Sequence, residues 1–418
     1  MSSYRKLARK QALRLGLAVT AMVGGMTGWH TAAYADGATD IQKMDTANAG
    51  AITRSGDVWT VVPDKVEGDL ATNAFSKFIL DQNNVANLQM YKGGATANTL
   101  VNMVQGRIDI RGTVNVLKNA TTIGGNVFFL SPEGMAVGRT GVINAGSITA
   151  LAPSTDWFKD HLQDNHAKFT AADMDALKAG TIPLNADGSI VIDGHLNAQS
   201  GIRLGAPVIT VGSAESAAQL TSQNDLNFAA LVNAGSTSAG LGTLTATTGA
   251  GGDIVLAAAS NRLNNTTDDV PKYANPLSGS KNEIKAELTV GKSAAITGDR
   301  NVVLSSYAEH TADQSEAFGG TSSNTSAQLL GQIVKTTAHT TVNGTVTADG
   351  RLSATAKAKN IASEAGPLSN PAGLADEVAG VIAVNVDPSY MIMGSEATVK
   401  IGADAALTAK GADLTVTQ

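Results

Sequence analysis

Cysteine is absent from all 418 residues. No disulfide can staple the fold, so packing and backbone hydrogen bonds must hold it together. Aromatic residues make up only 4% of the chain, which excludes large aromatic-rich cores. Length by itself suggests two or three globular domains. Yet glycine numbers 44, and small and β-branched residues dominate the remainder. That composition suits a narrow core built from stacked strands.

Long hydrophobic runs are also scarce. The apolar stretch from Leu15 to Gly28 is too short for an ordinary membrane span, and its basic flank (Arg5, Lys6, Arg9, Lys10, Arg14) lies on the N-terminal side only. Ala33-Tyr34-Ala35 follows as an A-x-A site, so residues 1–35 read as a signal peptide whose cleavage site is marked by Ala33 and Ala35, with the mature chain starting near Asp36. Setting aside those five basic residues leaves 25 of the 30 against 36 acidic ones, a charge of about −11. Basic stripes with interleaved aromatics are missing, which speaks against a nucleic-acid partner.

From residue 100 onward, short apolar strands alternate with Gly, Asn and Asp turn signals. In Gly106-Arg-Ile-Asp-Ile-Arg-Gly-Thr-Val-Asn-Val, the side chains of Ile108, Ile110, Val114 and Val116 point one way. Asp109, Arg111 and Asn115 point the other. Ile190, Ile192, Leu196 and Ala198 repeat the buried pattern. Between the apolar runs Val127–Leu130 and Met135–Gly138, Ser131-Pro-Glu-Gly134 matches a type I turn, with proline at the second position and glycine at the fourth. The expected fold is all-β: a right-handed parallel β-helix, a single-stranded solenoid. Residues 36–100, with Trp59, Phe75 and Phe78, form its N-terminal cap, and the last coil has none.

Two further features shape the expectation. Residues 155–180 interrupt the strands with helical character: Trp157, Phe158 and Leu162 come first, then Thr170-Ala-Ala-Asp173 as a capping box before Met174 and Leu177, closed by Gly180. This stretch reads as an excursion on the coil's flank. Degenerate repeats begin at Thr289, Thr341 and Thr398, offsets of 52 and 57 that suggest two or three coils each. At roughly twenty residues per coil, the solenoid would be on the order of 80 Å long.

Motifs for chemistry are sparse. His161 and His166, near Asp160 and Asp164, form the one histidine cluster, and their spacing of five fits a solvated helical surface better than a zinc site. His195, His310 and His339 read as surface residues. Gly249-Ala-Gly-Gly-Asp253 is half of a calcium-binding nonapeptide and reads as a plain turn, and Asp268-Asp269 falls in a polar linker. No nucleophile elbow, phosphate loop or zinc-protease motif is present. Catalytic residues, metal and cofactor are therefore expected to be none.

Asn73-Ala-Phe-Ser-Lys-Phe78, Gly106–Val116 and Asn126–Gly138, in that order and spacing, resemble the secretion domain of the filamentous haemagglutinin family over roughly Asp36 to Asn265. Gly252-Asp-Ile-Val-Leu-Ala-Ala and Ala379-Gly-Val-Ile-Ala-Val-Asn-Val are similar to leukotoxin-type filamentous adhesins. The resemblance implies domains at 1–35 (signal), 36–265 (secretion) and 266–418 (the start of a filament that continues further). It implies export from a diderm cell, with a separate outer-membrane transporter whose periplasmic modules recognise the N-terminal domain, and a host-cell or surface receptor of unidentified nature. It assigns recognition to Asn73, Phe75, Phe78, Asn115, Ser131, Pro132, Glu133 and Gly134. The turn departs from the family pattern: Ser131 and Glu133 stand where the family has asparagines, which puts the family's transporter contact there in question. Absence of cysteine fits a chain that crosses the outer membrane unfolded. Two rivals remain: a β-helical polysaccharide lyase or hydrolase, for which Asp109 and Arg111 are the sole obvious outward pair, and the passenger of a one-chain autotransporter.

Overall fold

Alternation of small apolar and polar residues gives each strand one face for a core and one for solvent. With few bulky side chains, such strands can close around a thin lumen only by stacking on copies of themselves. The computed structural model describes residues 38–45, 47, 50–213, 216–232, 236–249, 252–263, 280–312, 331–362 and 390–417. The cleavage site, Asp268-Asp269 and the segment from Ala379 lie outside the described residues.

One coil consists of Thr99–Val104, Ile108–Ile110 and Thr113–Leu117, one strand per side. The next, Asn126–Leu130, Gly134–Val137 and Val142–Ala145, pairs with it in parallel on all three sides. The pattern continues to Tyr390–Ile401 and Ala406–Thr417, passing residue 265 with no break in strand order. On one side a single column of inward residues runs Phe78, Ile108, Met135, Ile190, Ile209, Ala239, Leu288, Thr340 and Val399. All but Val399 are fully buried. The chain is thus a parallel β-solenoid whose core is one continuous file of Ile, Leu, Val and Ala.

Coil length differs from the sequence expectation. Thr289 and Thr341 are direct partners on adjacent strands, so the offset of 52 is one coil, not two or three. Thr341 then pairs with Lys400 rather than Thr398, a slip of two from the repeat alignment. Two things lengthen these coils. Their strands reach 11 or 12 residues (Ser280–Val290, Gly331–Val342), and residues 264–279, 313–330 and 363–389 each fall between the same two sides of the coil. With nine levels in the column, eight steps of about 4.8 Å make the stack roughly 40 Å, half the expected length.

The cap is smaller than 36–100. Asp40–Lys43 and Lys65–Glu67 run antiparallel to Leu70–Leu80, whose opposite edge pairs in parallel with Thr99–Val104 and Ile108–Ile110. That long strand is the transition: its outer edge takes the cap, its inner edge starts the solenoid. Phe75 and Phe78 lie in the first coil's core, edge-to-face with ring centroids 5.3 Å apart, and only Trp59 sits in the cap, on the strand Val58–Val61. At the other end no described strand covers Ala406–Thr417, and Leu414 is 58% exposed.

The excursion is a helical arm packed on the coil's flank. Helix α1 (Thr155–Asp160) is capped by Ser154, and a hairpin of Leu162–Gln163 and His166–Ala167 turns on Asp164 and Asn165, both at positive φ. Helix α2 (Ala171–Ala179) has the Thr170/Asp173 capping box and ends on left-handed Gly180. The arm buries Phe158, Met174, Leu177 and Ile182 against outward-facing Val101, Met103, Phe128, Leu130 and Leu151. Each large side chain so covered contributes about 1.5–3 kcal/mol of transfer free energy, which holds the arm down despite its short helices.

Candidate recognition site

Asn73 is fully buried at the junction of cap and first coil. Its Oδ1 accepts from Lys43 Nζ and from the Asp64 amide at 3.2 Å, and its Nδ2 donates to Asn102 Oδ1 at 2.8 Å. Lys43 pairs with Asp64 at 2.7 Å and also donates to the Val62 carbonyl, while Asp64 accepts from the Gly50 and Ala74 amides. Both charged side chains are almost wholly enclosed. Burial lowers the Lys43 ammonium to about 8, and the neighbouring Asp64 carboxylate opposes that fall. Every member is partnered, the condition under which a buried charge pair is tolerated. The network ties two cap residues, Lys43 and Asp64, to two stacked strands through one asparagine.

The turn forms as expected. The Gly134 amide donates to the Ser131 carbonyl at 2.9 Å. Gly134 takes φ +88°, and a Cβ there would overlap the Ser189 carbonyl of the coil stacked on it, so no other residue fits. Ser131 Oγ donates to the Gly106 carbonyl at 2.9 Å, and Glu133 Oε2 accepts from the Arg107 amide at 3.2 Å. Pro132 is buried and its carbonyl accepts from Asn185 Nδ2. Glu133 is the exposed member of the turn.

Asn115 belongs to a ladder on the outside of a different side. Asn115 Nδ2 donates to Asn87 Oδ1 (3.1 Å), Asn144 to Asn115 (2.9 Å) and Asn197 to Asn144 (2.9 Å). In-register threonines continue the file: Thr221, Thr247, Thr297, Thr347 and Thr408. Stacked amides of this kind satisfy one another along the axis.

Of the eight assigned residues, six are therefore buried and hold coils together; Asn115 is half-buried and Glu133 exposed. They do not converge on one surface. Asn73 and the Ser131 turn join at different sides, and Asn115 lies on a third ladder. Lys43, Asp64 and Asn102 went unnoticed in the sequence, although a signal existed: Asn73 and Asn102 are 29 residues apart, and Asn87, Asn115 and Asn144 are 28 and 29 apart, one coil each time.

The remaining sequence candidates resolve as follows. Asp109 points outward but is buried, and Arg111 pairs with Asp81 at 3.2 Å, so the two are not an open pair. Asp253 takes Arg300 in a bidentate pair at 2.7 and 2.5 Å and accepts the Asn301 amide, as a structural turn would. His161 and His166 do not share a helix: the first caps α1 and the second lies in the hairpin. His161 is stacked on Trp157 (3.9 Å), with the near-parallel Phe169 ring beside both (5.5 Å from His161 and 6.3 Å from Trp157), and is mostly enclosed, not solvated. Among the described residues no group of three His, Asp or Glu side chains could hold a metal ion. His195 is half-buried, and His339 lies between Glu287 and Glu396. The His310 side chain lies outside the described ones.

Fold and junctions define a capped parallel β-solenoid with a flanking helical arm. Among solved structures, the HMW1 secretion domain from Haemophilus influenzae aligns over 90% of this chain and 100% of its own length, at 14% identity and a TM-score of 0.32. No family model matches the chain, and no curated protein matches it.

Proposed function

We propose that this chain is exported, is not an enzyme, and serves as the N-terminal part of a filamentous adhesin, its cap and first coils being recognised by a partner outer-membrane transporter. The observation that carries the reading is the stacking of the three resembling segments. Residues 73–78, 106–116 and 126–138 occupy consecutive levels beneath the cap, joined by the column Phe78, Ile108, Met135 and by the bonds from Ser131 to Gly106 and from Arg107 to Glu133. Segments separated in sequence thus form one folded unit.

On this reading most of the motif acts through folding. A cap closed over the first coil leaves one growing edge, and each coil completed there offers backbone groups to the next, so folding outside the cell proceeds in one direction. Asn73, Phe75, Phe78, Ser131, Pro132 and Gly134 would build the starting template, and Glu133 and the asparagine ladder would be the groups open to a transporter. Ser131 and Glu133 keep the turn and its two bonds, so the departure from the family pattern need not cost the fold. Adhesion to a host cell or other surface would use outward side chains of the later coils.

The test is secretion from diderm cells with and without the partner barrel. Export is expected only with the barrel, and Gly134→Ala should lower surface appearance with synthesis unchanged. Equal export without the barrel refutes the two-partner route. Release of reducing or unsaturated ends from pectin- or glycosaminoglycan-type polymers by the purified chain would refute the non-enzymatic part.

A further inference from the structure

Lysine is a nucleophile only as the free amine, and a site that encloses the side chain is one way to favour that form. Lys43 meets the condition. It is the one lysine of the described ion pairs whose side chain is enclosed, 4% exposed against 24% or more for the others. Burial, opposed by the Asp64 carboxylate and weakly helped by the Lys92 ammonium, lowers it to about 8. The Phe75 ring walls the site, its centroid 4.5 Å from Nζ.

The amine faces a carboxamide held in one orientation. Two donors, Lys43 Nζ and the Asp64 amide, point at one end of the Asn73 side chain, and Asn102 Oδ1 accepts from the other, so the oxygen lies on the lysine side. Asn102 is itself held by its bond to the Phe128 carbonyl. An amine in contact with Oδ1 stands one bond length from Cγ, a small shift from the near-attack separation of about 3–3.5 Å. The Asp64 carboxylate lies 2.7 Å from Nζ and is pinned by the Gly50 and Ala74 amides, each at 2.8 Å.

We propose that Lys43 and Asn73 join in an intramolecular isopeptide bond, with Asp64 carrying the proton. First the neutral amine adds to Cγ: a C–N bond forms and the carbonyl electron pair moves to Oδ1, where the Asp64 amide N–H stabilises the negative charge. Asp64 takes one proton from the attacking nitrogen. Then the pair on Oδ1 re-forms the carbonyl, the Cγ–Nδ2 bond breaks, and the same proton passes to the departing nitrogen. Amine and carboxamide become a secondary amide and ammonia, with nothing oxidised or reduced. The contacts above are those of the chain before the bond closes. Once closed, it fastens the cap strand Asp40–Lys43 to Leu70–Leu80 across 30 residues of chain, a covalent staple in a protein without cysteine. The three groups meet only where cap and first coil pack, so an unfolded chain cannot form it.

Mass spectrometry of the purified folded chain, held overnight at about pH 8.5, tests this. The intact mass should fall by one ammonia. Trypsin should release one branched peptide in which the segment carrying Lys43, uncut after that residue, is joined to Val66–Lys77. The branch decides the matter, since Asn343-Gly344 can lose ammonia by cyclising on its own. The rate should climb about tenfold per pH unit below 8 and level off above it, following the free amine, and Asp64→Asn should slow it about a hundredfold or more. A chain kept in denaturant should stay unlinked. Absence of the branched peptide from the folded wild-type chain overturns the proposal, and so does linkage at an equal rate in denaturant or in Asp64→Asn. If that variant does not fold, the wild-type pH profile decides: a rise that levels near 8 supports the bond, and a flat profile overturns it.

Discussion

Replacing Asn73 with alanine should loosen the cap while leaving the solenoid standing. The substitution removes a charge-assisted bond from Lys43, a bond from the Asp64 amide and a bond to Asn102. Charge-assisted bonds contribute about 1.5–3 kcal/mol and neutral ones about 0.5–1.5 each, so the loss is about 2.5–6 kcal/mol. None of the three partners can turn to bulk water, since the site is closed, and Lys43 keeps only Val62 and Asp64. A solenoid does not unfold as one cooperative unit, so a global midpoint is the wrong measure. Amide exchange is the right one. At about 1.4 kcal/mol per tenfold, protection of Asp40–Lys43 and Lys65–Glu67 should drop by roughly two to four decades. Strands at 280–312 should be unaffected. Asn102→Ala, which spares the Lys43 and Asp64 contacts but removes the bonds to Asn73 and to the Phe128 carbonyl, should cost about 1–3 kcal/mol. If Asn73→Ala changed cap protection by less than tenfold, the network would not be what joins cap to coil.

Three other outcomes are expected. Because Lys43 titrates near 8 in the folded chain and at 10.5 in the open one, the folded state binds fewer protons between those values, and stability from this group rises with pH across that window. The gain, up to ~3 kcal/mol, should be missing from Lys43→Met when cap protection is compared from pH 8 to 10.5. Leu177→Ala should cost about 2–5 kcal/mol, read as exchange confined to the arm, because its side chain is fully enclosed against the coil's outer face. Asn144→Ala in the middle of the ladder should cost about 1–2 kcal/mol by local exchange, since it breaks two amide bonds at a partly exposed site.

Local rules carried much of the fold into the sequence. Period-two alternation placed Ile108, Ile110, Val114 and Val116 inside, and all four are fully buried. Proline and glycine at fixed offsets identified the turn at 131–134, and Thr170 with Asp173 identified α2, because each rests on contacts within a few residues. Coil length failed for the opposite reason. An offset of 52 has no local signature, and only the pairing of Thr289 with Thr341 shows that it spans one coil.

What the sequence determined by itself was the strand period, the punctuation of turns and caps, and a core without large aromatic clusters, all set by nearest neighbours along the chain. Tertiary structure decided the rest: that Phe75 and Phe78 belong to the first coil and not to the cap, that Asp109 is buried, and that Lys43, Asp64, Asn73 and Asn102 meet. Those outcomes depend on which residue lies one coil above or below. That distance along the chain varies from 19 residues between Ile190 and Ile209 to 61 between Thr345 and Ala406, so no fixed spacing could have announced it.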